Sequence, residues 1–202
     1  MTFSITARCP DTGDLGVAIS TAVPAVGNRC VYVKVNVGAI ATQSFTNVML
    51  GVNGIKLLEL GLSPENAITS LLEEDENKEQ RQVGTIDYLG QTFAWTGTRC
   101  VEWAGHIVGS DHVVAGNMLL NKDTIVAMSE SFQSTKGELS HRLLTALESG
   151  QEAGGDKRGR LSAALLVASK KVKNYHNLRV DMHNNPVTEL RRIYNLTKKV
   201  YS

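Results

Sequence analysis

Thr2, in the opening stretch MTFSITAR, is the first residue whose type and place suggest chemistry. A threonine that becomes N-terminal holds a hydroxyl nucleophile and its own base. The α-amine titrates near ~8, so it needs little tuning to accept a proton at neutral pH. A small residue after Met1 favours removal of Met1, which would free that amine without self-cleavage. The plainer reading is that a β-branched residue opens a strand. Ser4 lies two residues on and shares the strand face of Thr2, as a second polar lining residue.

Other stretches carry candidate site residues. In GGDKRGR (154–160), Asp156 can orient an N-terminal or substrate amine. Arg158 and Arg160 share one face of an extended segment and can hold a carboxylate in bidentate fashion. The alternative is a structural Asp–Arg network between loop and sheet. In ATQSFTN (41–47), Gln43, Ser44 and Asn47 can supply donors to an oxyanion. Equally, they suit a strand end and a helix cap, with Asn47 capping the helix that follows. His106 in WAGH belongs near a pocket or packs at a strand end, and alternation puts it on the face of Ala104. Asn117 in GNML precedes a helix, where backbone N–H groups bind anions.

LRVDMH (178–183) aligns Arg179, Asp181 and His183 on one strand face. Only Asp181 and His183 are suitable metal ligands, and a metal needs about three, so a salt-bridged stripe is the expectation. His112, His141 and His176 carry no pattern. No metal site and no cofactor motif is expected.

These residues need positioning, and the hydrophobic periods indicate how. FSITAR and VAIST flank the turn PDTGDLG and read as a hairpin. CVYVKVNVGAIATQS (30–44) alternates and bends at Asn36–Gly38, with Val31, Val33, Val35 and Val37 on one face. The period then becomes helical from Val48 and stops at Gly61. A second helix starts at Ser63 and Pro64, an N-cap and a first helical position. EEDENKEQ (73–80) reads as a solvated helix end and loop. RQVGTIDY and QTFAWTG form a hairpin about Leu89–Gly90, and WAGHIVG and HVVAGN extend the sheet. Helices follow over 122–135 and 138–149, the latter ended by Gly150. LSAALLVAS (161–169) is a strand apolar on both faces, LRVDMH alternates, and a last helix starts near Pro186. Strand blocks separated by helix pairs predict an α+β, four-layer αββα sandwich of two mainly antiparallel sheets, one domain over 1–202.

The chain has 202 residues and a formal net charge of +1, which argues against a general nucleic-acid or membrane surface. No apolar run approaches the ~20 residues of a bilayer span. No basic-then-apolar leader is visible. Cys9, Cys30 and Cys100 are odd in number and form no CxxC pair, so reduced thiols and a cytoplasmic location are expected.

MTFSITAR, VGAIATQS, RQVGTID, WAGH, GNML and GGDKRGRLSAALLV resemble the DUF1028 family, from Met1 to about Tyr194. GGDKRGR followed by SAALLV is the most specific part. The family is placed in the N-terminal-nucleophile (Ntn) hydrolase fold group, whose αββα sandwich matches the element order. Some members add a C-terminal peptidoglycan-binding domain, which is not seen before Ser202. The resemblance implies cleavage of a C–N bond in a small molecule, with Thr2, Lys34 and Asp156 as catalytic residues. Gln43, Ser44, Asn47, His106, Asn117, Arg158 and Arg160 are the candidate substrate contacts. Lys34 stands at the distance from Thr2 where proteasome-like enzymes carry a lysine that activates the nucleophile. It otherwise reads as a solvent-facing lysine of an edge strand. The acidic residue such enzymes place after the second strand is replaced by Ser20 and Thr21. The competing readings are a non-catalytic Ntn-fold binding or assembly module and a metal-dependent hydrolase using His106, Asp181 or His183. A homo-oligomer is expected by analogy with the fold group.

Overall fold

A computed structural model describes residues 2–171 and 174–201, so Met1 lies outside the described residues. The element order is β1 (Thr2–Arg8), β2 (Leu15–Thr21), β3 (Val31–Lys34), β4 (Gly38–Ser44), α1 (Val48–Glu59), α2 (Pro64–Glu73), β5 (Arg81–Asp87), β6 (Thr92–Thr96), β7 (Gly105–Gly109), β8 (His112–Asn117), α3 (Asp123–Ser134), α4 (Leu139–Glu152), β9 (Ser162–Ala168), β10 (His176–Val180) and α5 (Pro186–Tyr201). Two sheets result, one in the order β10-β9-β2-β1-β8-β7 and one in the order β3-β4-β5-β6. Every strand pairing among the described residues is antiparallel. The expected αββα sandwich is the architecture found.

Alternation along each strand divides side chains between two layers. Phe3, Ile5 and Ala7 point outward and join Leu143, Leu144 and Leu147 of α4, Phe132 of α3 and Leu190 of α5. Each of the larger side chains contributes roughly 1.5–3 kcal/mol of burial. The four-stranded sheet does the same with Ile40 and Val83 against Leu50 and Leu58 of α1 and Ile68 and Leu72 of α2. Ser63 caps α2 by accepting from the Asn66 amide at 3.3 Å. Between the sheets lie the opposite faces: Leu15, Val17, Ala39, Ala41 and Ile86, with Val31 and Val33 against them. Small residues bring the sheets close. A Cβ at Gly84 would sit 2.9 Å from Val113 of the facing sheet.

Three details differ from the sequence reading. Val31 and Val33 face the other sheet, but a turn at Asn36 (φ 59°) breaks the alternation. Val35 is consequently exposed and Val37 joins the α1–α2 layer. Helix α4 does not stop at Gly150 but runs to Glu152. Gly150 is there because Met128 packs on it, and a Cβ would meet Met128 Cγ at 2.6 Å. The glycine is a contact, and the chain leaves helical geometry at Gly154 (φ 123°) instead. Strand β10 ends at Val180, before Asp181 and His183. Arg179 pairs with Asp181, and His183 Nδ1 accepts from the Asn185 amide. No metal-ligating group of three His, Cys, Asp or Glu is found among the described residues. No described helix is long and apolar enough to cross a membrane.

Candidate functional site

The last row of side chains at one end of the inter-sheet layer is polar on both sheets. On the six-stranded sheet, Thr2 is paired with Thr21 on β2 and with Asn117 on β8, and Thr21 is paired with Ser162 on β9. On the facing sheet, Gln43 is opposite Gln82 and Gln82 is opposite Thr96. The rows meet at Gln82. Its Oε1 accepts from Gln43 Nε2 at 2.8 Å and from Asn117 Nδ2 at 2.9 Å. Its two Nε2 hydrogens are shared among Gly116 O at 2.8 Å, Thr96 Oγ1 at 3.0 Å and Gly105 O at 3.1 Å.

Thr96 Oγ1 in turn hydrogen-bonds His106 Nδ1, 2.8 Å away. The imidazole tautomer sets which of the two donates. Burial also pushes the His106 pKa below its ordinary value. His106 is partly covered yet still exposed on edge strand β7, so the chain Gln82–Thr96–His106 links the interior to the surface.

Thr2 is 7% exposed, and its hydroxyl lies 3.1 Å from Thr21 Oγ1. Asp156 lies across the end of β1. On one side its Oδ2 accepts from the Ala22 amide at 3.0 Å, one residue past Thr21. On the other it forms a bridge with Leu119, two residues past Asn117. The Asp156 carboxylate is fully buried and also holds the Arg158 amide (2.7 Å) and guanidinium (3.3 Å). Burying a carboxylate is costly unless such donors satisfy it.

The structure thus brings together Thr2, Gln43, Asn117 and Asp156, with His106 and Arg158 at the margin. Arg160 is exposed in the same loop. Three expected residues lie elsewhere. Lys34 is not beside Thr2: it shares the outward face of Tyr32 and pairs with Glu59 at the end of α1. It is also at the far end of the sheet, since its partner Gly38 stands opposite Asp87, and the neighbouring Tyr88 carbonyl accepts from Arg8 at the other end of β1. A two-residue period decides this, because Lys34 differs in parity from Val31 and Val33. Asn47 is the N-cap of α1, accepting from Met49 N, and its Nδ2 donates to Asp75. Arg81 beside Asp75 holds that carboxyl at about 2. EEDENKEQ is therefore anchored through Asp75 rather than only solvated. Ser44 faces outward beside Cys100, with φ 68°. Neither Ser44 nor Asn47 joins Gln43 as an oxyanion donor.

Gln82, Thr21 and Thr96 are central and were not expected. The signal for Gln82 was present in RQVGTID: alternation puts it on the face of Gly84 and Ile86, the inner face of a buried strand.

The model of the family described as "Family of unknown function (DUF1028)" matches residues 2–190. The chain belongs to this family. The crystal structure of protein SPO2555 from Silicibacter pomeroyi, of the DUF1028 family, superposes with a TM-score of 0.91 at 32% identity, covering 96% of this chain and 85% of that one. Anbu (ancestral beta-subunit) from Yersinia bercovieri aligns over 96% of this chain and 93% of its own at 8% identity, with a TM-score of 0.42, too low to carry an argument. No curated protein matches the chain.

Proposed function

We propose that this DUF1028 protein is an Ntn-type hydrolase that cleaves a C–N bond of a small molecule, with Thr2 as the nucleophile once Met1 is removed. The observation that carries the reading is the placement of a buried carboxylate, Asp156, across the end of β1 directly beyond Thr2. An α-amine freed at Thr2 would be held there and kept close to the Thr2 hydroxyl. Thr2 Oγ attacks the substrate carbonyl and passes its proton to the α-amine. The C–N bond breaks as that proton goes to the leaving nitrogen, leaving an ester on Thr2. Water then cleaves the ester, with the amine as base again. Arg158 and Arg160, in the loop beside the site, suit an acidic group on the substrate.

Intact mass of the untagged protein tests the first requirement. The expected result is a chain short by one methionine. Turnover of small amides is then expected to vanish in Thr2→Ala. A retained Met1, or full turnover by Thr2→Ala, overturns the reading. One observation favours a non-catalytic binding module instead: Lys34, the basic partner of proteasome-like sites, sits against α1. That reading predicts saturable amide binding with no turnover.

A further inference from the structure

Gln43 and Asn117 both spend an amide N–H on the same atom, Gln82 Oε1. Their own oxygens, Gln43 Oε1 and Asn117 Oδ1, are buried and have no hydrogen-bond partner. Gln43 is 1% exposed and Asn117 is fully buried. Leaving one buried acceptor unmade costs roughly 1–3 kcal/mol, and two lie on either side of one glutamine. Turning either amide round does not help, because Gln82 Oε1 would then face an oxygen. Gln82 cannot turn either, since its Nε2 is held by two backbone carbonyls and Thr96. The site therefore has acceptors in excess, in the last row of each sheet and beside Thr2.

We propose that Gln43 Oε1 and Asn117 Oδ1 receive N–H groups of the ligand, making this a subsite for a primary amide or ureide. The inference deepens the hydrolase reading and rests on it for the position of the reaction at Thr2. It also inverts the expected role of Gln43. An oxyanion needs donors, and the face Gln43 presents is an acceptor. Gln82 is a positioning residue, since it sets which end of both neighbouring amides is free.

The test is calorimetric binding of succinamate and of N,N-dimethylsuccinamate to the Thr2→Ala protein, in which hydrolysis does not interfere. The pair exchanges the two N–H groups for two methyls, and the Gln43→Met protein separates the lost hydrogen bonds from the added bulk. Succinamate is expected to bind at least about tenfold more tightly, the equivalent of one hydrogen bond. Equal binding of both, or binding of neither, overturns the proposal. In Gln43→Met, Asn117 still donates to Gln82, so the melting temperature is expected to hold or rise while succinamate affinity falls about tenfold. Unchanged affinity overturns the proposal. Because turnover is not the readout, N–H selectivity without hydrolysis would remove only the hydrolase reading, and hydrolysis without N–H selectivity would remove only this subsite.

Discussion

The two ends of the layer between the sheets are built by the same strands and have opposite character. At one end Leu15 and Val17 of β1's neighbour β2 meet Ala39 and Ile86 of the facing sheet. At the other, Thr2, Thr21, Asn117 and Ser162 face Gln43, Gln82 and Thr96. The apolar end is held by contacts without direction, each satisfied by any neighbour of suitable shape. The polar end is held by groups that need a named partner, and two of its acceptors lack one. A fold under selection for stability alone would extend the apolar pattern to both ends. The proposed function sits where the chain has kept groups that cost stability.

Three substitutions sharpen or break this contrast. Gln82→Leu has the largest expected effect. It leaves Gln43 Nε2 and Asn117 Nδ2 buried without an acceptor, at roughly 1–3 kcal/mol each, so urea denaturation is expected to show a loss of about 4 kcal/mol. N–H selectivity in the succinamate pair should disappear with it. Leu15→Ala at the apolar end is expected to cost about 3 kcal/mol through a cavity, with that selectivity intact. If Gln82→Leu proves the milder of the two, the polar end is not wired as described. Lys34→Ala is expected to cost less than about 0.5 kcal/mol, because its ion pair with Glu59 is exposed at both partners. It should leave amide binding unchanged. A loss of binding there would return Lys34 to the site and undo the separation of the two ends.

The sequence was readable where a period and a cap agree. Thr2, Ser4 and Thr6 against Phe3, Ile5 and Ala7 gave both faces of β1, and Ser63–Pro64 gave the start of α2. It misled where a residue type has two uses. Gly150 looked like a helix stop but is a packing contact under Met128, and only the position of α3 tells them apart. Lys34 looked like a partner for Thr2 at a suitable separation, but distance along the chain does not say which face of a sheet a residue takes. Asp156 was readable as a polar residue at a loop after α4. That it crosses the end of β1 depends on β2 and β8 flanking that strand, and no local pattern encodes this. Gln82 was missed because a glutamine in a strand usually faces water. Its importance follows from a pairing that brings residues 43, 82 and 117 to one point.

The row Ser162–Thr21–Thr2–Asn117 also bears on how the chain avoids misassembly. Four strands from three distant parts of the sequence must align for it to form. A slip of β1 by one residue would turn Thr2, Ser4 and Thr6 into the helix-facing layer and Phe3 and Ile5 onto the amides of the opposite sheet. Apolar cores tolerate repacking, but hydroxyls and amides among leucines do not. The polar row thus acts as a registration mark for the six-stranded sheet: chains that pair wrongly are penalised at once, and those that pair correctly have brought the row together in the same step.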